Sequence, residues 1–216
     1  MKGSRTKEKI ASSALAFVSE YGLNAITIGG IAERVGISKG GLCAHFASKE
    51  SLQMGVLRAA QELAQRAVFE NPSRQTDRVG ELVEFFHRWT GWATRSGLPG
   101  GCPFVAAVFE FDDLDGPIRD ELLAIQGDFF VRVFALVQAA VDSGEFESAT
   151  DVTQVVWELV AIYNGHHVAQ RFLRDSTADQ RAKTAFDGLI ARHRIAVAST
   201  TKSQAKPKTS SVARTR

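Results

Sequence analysis

The chain has 216 residues, of which 44% are hydrophobic and 23% are charged, a balance typical of a globular protein of one or two domains. Residues 1–60 have eight basic and four acidic side chains, residues 61–195 have thirteen and twenty, and residues 196–216 have five and none. This distribution predicts that only the ends of the chain meet a polyanion. The longest charge-free stretch, Ser96–Phe109, is too short for a membrane helix, and no signal-peptide core follows the N-terminus. We therefore expect a cytoplasmic protein without a membrane partner.

Apolar residues recur with helical spacing through nearly the whole chain, and no segment has the alternating pattern of a strand. The predicted fold class is therefore all-α. Near the N-terminus, a first helix is expected to stop at Gly22, and a short helix begins after Thr27 and ends at Gly36. Ser38 is expected to cap another short helix, and Ser48 precedes a longer one.

The remaining helices are expected over residues 77–95, from Pro103 to about Phe111, after Pro117, and over about 150–173 and 177–197. Thr177 and Gln180 have the spacing of a capping box. The predicted organisation is a domain over residues 1–47, a helical domain over 48–198 and a tail over 199–216. The tail is basic and almost free of apolar residues, so we expect it to be disordered.

The most informative segment is Ile26–Leu52, in which two short predicted helices flank a glycine-containing turn, the layout of a helix-turn-helix. Six apolar residues can form its small core: Ile28, Ile31, Ala32, Ile37, Leu42 and Phe46. The outward residues are small, polar or basic: Thr27, Ser38, Lys39, Gly40, Gly41, Cys43, Ala44, His45 and Lys49. A helix with this surface enters a major groove about 12 Å wide without charge repulsion, so these nine residues are the candidate DNA-binding residues.

At these residues the sequence resembles the TetR family of bacterial transcriptional regulators. The matching elements keep their order and spacing over residues 5–58: Tyr21-Gly22, Thr27-Ile28, Ile31-Ala32, Val35-Gly36-Ile37-Ser38-Lys39-Gly40, Leu42, His45-Phe46 and Ser48-Lys49-Glu50-Ser51-Leu52. The rest of the chain resembles the family only in its helical layout. The resemblance implies an N-terminal three-helix DNA-binding domain, followed by a helical bundle that binds a small-molecule effector and forms a homodimer.

The resemblance also implies that the dimer places two recognition helices on a palindromic double-stranded DNA operator, and that effector binding changes their separation. On this basis we predict a ligand-responsive transcriptional regulator, a repressor released by an apolar or aromatic effector, and not an enzyme. Two alternatives remain open. One is a DNA-binding dimer without an effector, and the other is a helical-bundle enzyme with a vestigial helix-turn-helix.

The recognition region departs from the family pattern at three places. Gly29-Gly30 replaces a pair that is often charged or polar, and glycine inside a helix costs about 0.8–1.0 kcal/mol relative to alanine. Gly41 occupies a position where the family often has Thr, Ala or Ser. Cys43 occupies a position where the family often has a tyrosine. Base recognition is then expected from Lys39, Cys43 and Ala44, including contacts to thymine methyl groups. The family's phosphate-binding positions correspond to Thr27, Ser38, His45 and Lys49.

Aromatic residues crowd residues 85–134, and most of them belong to the core, as aromatic residues at helical spacing usually do. The glycine-rich loop Gly97–Gly101 cannot fill space, however, and predicts an apolar cavity beneath it. With the family's effector domain in mind, the candidate effector-binding residues are Phe85, Trp89, Trp92, Phe104 and Phe130. Arg88 and Arg95 flank the two tryptophans and would allow a weakly anionic group.

Cys102 precedes a predicted helix start, where a thiol pKa is lowered, so a redox or electrophile sensor is one interpretation and a small buried residue is the favoured one. His166-His167 point about 100° apart on a helix and do not readily share a metal. Glu84 and His87 have the spacing of a di-iron site without a second such motif. We therefore predict no metal, no cofactor and no catalytic residue.

Dimerisation is predicted through residues 150–197. Six residues make the first of these two helices apolar over more than one face: Val152, Val155, Val156, Leu159, Val160 and Tyr163. The second has an apolar stripe of Phe186, Leu189 and Ile190. A single bundle does not readily cover both faces, whereas a two-fold interface with a second copy would.

Overall fold

The computed structural model describes residues 2–70, 73 and 75–195, with side chains from residue 6 onward. Within this range the chain forms ten α-helices and one π-helical turn. The described residues form no strand, and their one isolated antiparallel bridge joins Phe146 and Arg194. The predicted all-α fold is confirmed, whereas the predicted tail over 199–216 lies outside the described residues.

The N-terminal unit consists of α1 (Lys2–Tyr21), α2 (Ile28–Val35) and α3 (Lys39–Cys43). The predicted caps are present, because the hydroxyl oxygens of Thr27 and Ser38 accept hydrogen bonds from the backbone N–H groups of Gly30 and Gly41, each at 3.0 Å. Gly36, with φ of +72°, ends α2 in the left-handed conformation. The six predicted core residues pack together here, with Ile28 and Ile37 half-buried and the other four buried.

The body begins with α4 (Lys49–Ala64), which continues directly into a π-helical turn over Gln65–Phe69. It is completed by α5 (Arg78–Trp89), α6 (Trp92–Arg95), α7 (Pro103–Glu110), α8 (Pro117–Asp142), α9 (Val152–Arg171) and α10 (Ala178–His193). The helices α9 and α10 pack antiparallel, and the ring of Phe86 on α5 stacks on Phe186 of α10 at 4.0 Å. The core is therefore continuous from α5 to the last helix.

Two local predictions are wrong. The expected helix over 77–95 is broken after Trp89, because Gly91 adopts a left-handed conformation with φ of +73°. The expected capping box at Thr177 is absent, since its hydroxyl donates to Asp175 Oδ1 at 2.7 Å and accepts from Arg181 Nε at 2.8 Å. The backbone of Gly91 thus forms a turn between two helices, and the Thr177 hydroxyl binds side chains instead of a backbone N–H group.

In the described part of the chain, one helix, α8, is long and apolar enough to cross a membrane by length and composition. Counting uninterrupted charge-free residues does not reveal this, because Asp128 and Arg132 lie near its middle. The observation is weak evidence for a membrane span, since an apolar helix that packs in a helical bundle passes the same test. Here α8 packs against α4, α5, α7 and α9.

The residues on which the dimer prediction rested are covered within a single chain. All nine are buried except Val160, which is half-buried against the core. The argument that one bundle leaves them uncovered is therefore wrong. A different stripe is exposed along α9 and its C-cap, at intervals of three or four residues that define one helical face. It consists of Trp157, Ala161, Gly165, Val168 and Phe172.

Candidate DNA-binding surface and effector cavity

The nine candidate DNA-binding residues all lie at the surface. Gly41 and His45 are half-buried, and the other seven are exposed: Thr27, Ser38, Lys39, Gly40, Cys43, Ala44 and Lys49. The hydroxyl oxygens of Thr27 and Ser38 accept the capping hydrogen bonds, so each O–H group is still available to donate to a phosphate oxygen. The surface around α3 is therefore made of donors, small side chains and cations.

Lys49 has protein partners as well as an exposed position. Its ammonium group donates to the backbone oxygen of Asn24 at 2.7 Å and to Asn24 Oδ1 at 3.0 Å. An ammonium group has three N–H donors, so one is still available for a phosphate. The contact with Asn24 orders the long side chain before DNA binds, which reduces the entropy that binding must remove.

Two further basic side chains pack on aromatic rings of this unit. Lys7 Nζ lies 5.2 Å from the ring centre of Phe46, and the guanidinium of Arg34 lies 5.6 Å from that of Phe17. Both belong to the excess of positive charge that the sequence shows in residues 1–60.

A cavity of about 140 Å³ lies in the body. Its wall combines residues from α4, the π-helical turn and helices α5 to α9, and four of the five candidate effector-binding residues line it: Trp89, Trp92, Phe104 and Phe130. The fifth, Phe85, is buried behind the wall, where its ring stacks on Trp89 at 5.7 Å.

The glycine-rich loop does not roof this cavity, contrary to expectation. Its residues are absent from the cavity wall, and it packs instead against α1, where the N–H groups of Gly100 and Gly101 donate to Ser19 Oγ and Ser19 O, each at 3.0 Å. The small size of Gly100 allows the backbone of the loop to lie close to the backbone of α1. The cavity is instead enclosed by side chains of α4, the π-helical turn and helices α5 to α9.

The inner end of the cavity contains a hydrogen-bonded polar cluster. Trp92 Nε1 donates to Tyr163 Oη at 3.0 Å, and Cys102 lies beside both side chains. Burial raises the pKa of the Cys102 thiol, and burial also raises the pKa of the Tyr163 hydroxyl well above its ordinary value. The thiol is therefore protonated at neutral pH, which opposes the lowering expected at a helix start and favours the interpretation of Cys102 as a buried structural residue.

The cavity wall also includes polar side chains, among them Gln61, Gln126, Asp128, Arg132 and Asn164. The guanidinium of Arg132 lies 4.1 Å from the ring centre of Phe69 and donates to Gln65. Arg132 is the basic residue of this wall. Arg88 and Arg95, which the sequence suggested, do not line the cavity, and they donate to the backbone carbonyl groups of Val68 and His87. The cavity therefore joins an aromatic interior to polar residues.

The remaining candidate sites contain no metal-binding group. Among the described residues, no three His, Cys, Asp or Glu side chains are placed to hold a metal ion. His166 is buried with Nε2 2.6 Å from Asp179 Oδ1, and neither it nor His167 lines the cavity. Glu84 binds Ser73 and Gln75 through its carboxylate oxygens. His166 therefore joins α9 to α10, and Glu84 joins α5 to the segment that precedes it.

Comparison with known proteins indicates a DNA-binding regulator, in agreement with the fold and with the surface around α3. A family model described as bacterial regulatory proteins, tetR family, matches residues 10–53, and a tetracyclin repressor-like C-terminal domain model matches residues 79–186. The second match alone covers half of the chain. The chain therefore belongs to the TetR family of DNA-binding transcriptional regulators, as the resemblance predicted.

Solved structures with this fold match almost the entire chain. A TetR regulator from Chloroflexus aurantiacus is 25% identical, with a TM-score of 0.79 over 90% of this chain and 99% of that one. One from Cytophaga hutchinsonii is 17% identical, with a TM-score of 0.76 over 91% and 98%. AibR, solved with isovaleryl coenzyme A and operator DNA, is 18% identical, with a TM-score of 0.66 over 87% and 97%. A search of curated proteins gave no match.

Proposed function

We propose that this regulator is a homodimeric repressor, which a small apolar effector releases from a palindromic operator in the cytoplasm. The observation that carries the proposal is the aromatic cavity in the body, together with the exposed, acid-free surface of α3. The proposed organisation is a DNA-binding domain over residues 1–47 and an effector-binding and dimerisation domain over 48–198. No part of the proposal requires a cofactor or an enzymatic reaction.

The size of the cavity limits the effector. An apolar cavity of about 150 Å³ accommodates benzene, so a cavity of about 140 Å³ takes one aromatic ring or a short branched hydrocarbon chain. The polar side chains of the wall suit a neutral or weakly charged head group. The structural neighbour solved with isovaleryl coenzyme A supports this class of ligand, because its acyl group is short and branched.

The exposed stripe on α9 supports the dimer. An exposed tryptophan beside small residues provides an anchor and lets a second helix approach closely, and Trp157 is 66% exposed while Gly165 has open space around it. Thr184, Ala185 and Gly188 extend small exposed residues onto α10. A second copy packed on these two helices would form a self-complementary two-fold interface.

The proposal is tested by selecting genomic DNA fragments with the purified protein, then screening single-ring and short branched compounds for thermal stabilisation. We expect compounds that raise the unfolding temperature also to weaken binding to the selected fragment. Compounds that bind without changing DNA affinity would support the alternative of a DNA-binding dimer without an effector. Recovery of no specific fragment would contradict the proposal as a whole.

Two lysines are expected to act differently on DNA. Lys49→Ala should weaken binding to all sequences alike and reduce the log–log salt slope by about 0.9, the value for one phosphate contact, for each subunit. Lys39→Ala should instead relax the preference for one base position in each half-site. The measurement is a titration of both variants against selected and scrambled DNA at several salt concentrations. Unchanged affinity in both would mean that α3 does not face the DNA.

Phe130 offers a test of the cavity that leaves the core intact. It is 40% exposed, whereas Trp89 is buried and its replacement by alanine would cost about 3–5 kcal/mol of stability. Phe130→Ala should weaken effector binding about tenfold, equivalent to about 1.4 kcal/mol, with little change in operator affinity. Phe134, 41% exposed on the same helix but outside the cavity wall, supplies the matched control Phe134→Ala. Equal calorimetric affinities for both variants would place the effector elsewhere.

A further inference from the structure

The loop between α1 and α2 is held by a carboxylate from the body. The backbone N–H of Leu23 donates to Glu110 Oε1 at 3.0 Å, and that of Asn24 donates to Glu110 Oε2 at 2.5 Å. Glu110 is the last residue of α7. Both oxygens of one side chain therefore bind successive amides of the DNA-binding unit, and hydrogen bonds to a charged acceptor are stronger than neutral ones.

Gly22 shows how closely this loop fits the carboxylate. Its φ of +90° lies in the left-handed region, and a Cβ atom at this position would lie 2.1 Å from Glu110 Oε1. The left-handed φ therefore favours glycine at the turn that ends α1, and an added Cβ atom would force the Glu110 carboxylate to shift. The three residues Gly22 to Asn24 therefore all contact the carboxylate of Glu110.

The same loop is bound to α4 through its oxygen atoms. Gln53 Nε2, which is buried, donates to the backbone oxygen of Leu23 at 3.1 Å. Lys49 donates to both oxygens of Asn24, as described above. Leu23 and Asn24 therefore each bind α7 through an N–H group and α4 through an oxygen. Asn24 is thus hydrogen-bonded both to Glu110 and to Lys49, a candidate phosphate contact.

The helix that carries Glu110 also forms part of the cavity wall. Four of its eight residues line the cavity: Phe104, Val105, Val108 and Phe109. The segment before it is bound to the last turn of α1, through the hydrogen bonds of Gly100 and Gly101 to Ser19. An occupant that presses on α7 therefore acts on a helix joined to the DNA-binding unit at both ends.

We propose that Glu110 is the positioning residue through which the state of the cavity reaches the DNA-binding surface. When the cavity fills and α7 moves, the carboxylate displaces Leu23 and Asn24, and Asn24 displaces Lys49. This inference rests on the proposed function, because it takes the cavity to be the effector site. It assigns a role to a residue that lies 86 positions from Asn24 in the sequence.

The test fills the cavity from a helix other than α7, in backgrounds with and without the Glu110 carboxylate. Val160 on α9 lines the cavity, and Val160→Phe occupies part of it without any ligand. We expect this substitution to weaken binding to the selected DNA fragment at least tenfold in the natural background and less than twofold in a Glu110→Ala background. Val108→Phe on α7 repeats the experiment if Val160→Phe does not fold, as judged by circular dichroism. Asp113→Asn, an exposed acid just beyond α7, is the control background and should retain the full effect.

Amide hydrogen exchange gives a second readout. Glu110→Ala should speed exchange at Leu23 and Asn24, because both N–H groups lose their acceptor. Equal losses of DNA affinity on filling the cavity, with and without Glu110, would overturn the inference, and so would no loss in either background. The proposed function fails separately, if benzene and related single-ring compounds stabilise no variant, since that outcome does not depend on Glu110.

Discussion

Replacing Gly100 by alanine is expected to lower the free energy of unfolding by about 3 kcal/mol, at the upper end of the usual cost of overpacking. A Cβ atom at this position would lie 1.7 Å from the backbone oxygen of Ser19 and 2.6 Å from the backbone nitrogen of Glu20. Backbone atoms inside a helix cannot turn aside as a side chain does. The substitution must therefore push the loop away from α1 and break its hydrogen bonds to Ser19.

Thermal unfolding measures this effect directly. For a chain of this length, 3 kcal/mol corresponds to a fall in the unfolding temperature of roughly 6–12 °C. Gly127→Ala is the matched control, because Gly127 is exposed within α8 and has no atom near the position of an added Cβ. It should raise stability by up to about 1 kcal/mol through helix propensity. Equal stability of the two variants would show that the loop and α1 are not in close contact.

Replacing Trp157 by alanine is expected to weaken the dimer by about 2 kcal/mol, or about 30-fold, because exposed tryptophans in the centre of an interface carry much of its energy. The monomer should keep its stability, since the side chain is 66% exposed in the single chain. Operator affinity should fall as the dimer is lost, since a monomer brings only one recognition helix to the DNA. Sedimentation analysis over a range of concentrations measures the first effect, and DNA titration measures the second.

An exposed apolar residue elsewhere provides the comparison for Trp157. Leu114, in the turn after α7, is 47% exposed, and Leu114→Ala should leave both the dimer and the operator affinity unchanged. A Trp157→Ala protein that sediments as wild type at every concentration would move the interface away from the exposed face of α9. A monomeric wild type at micromolar concentration would contradict the dimer itself.

The helix-turn-helix was readable from the sequence because its determinants are local. Thr27 and Ser38 bind N–H groups three residues further along, and Gly36 ends α2 by its own backbone conformation. The apolar spacing of the small core likewise depends only on helical periodicity. Spacing therefore predicted the fold class, the three N-terminal helices and the surface position of the nine candidate DNA-binding residues. It also pointed to the aromatic segment that lines most of the cavity.

Tertiary packing decided the features that join distant segments. The carboxylate of Glu110 binds amides 86 and 87 residues away, and no local pattern distinguishes it from any other acid at a helix end. The valines of α9 look equally apolar whether a neighbouring helix or a second copy covers them, and only the packed bundle shows that they are covered. Local spacing thus predicted the three N-terminal helices and the caps at Thr27 and Ser38, because hydrogen bonds within a turn depend on nearby residues. The tertiary structure alone decided the cavity wall, the exposed stripe and the link to α7, because each depends on which helices meet.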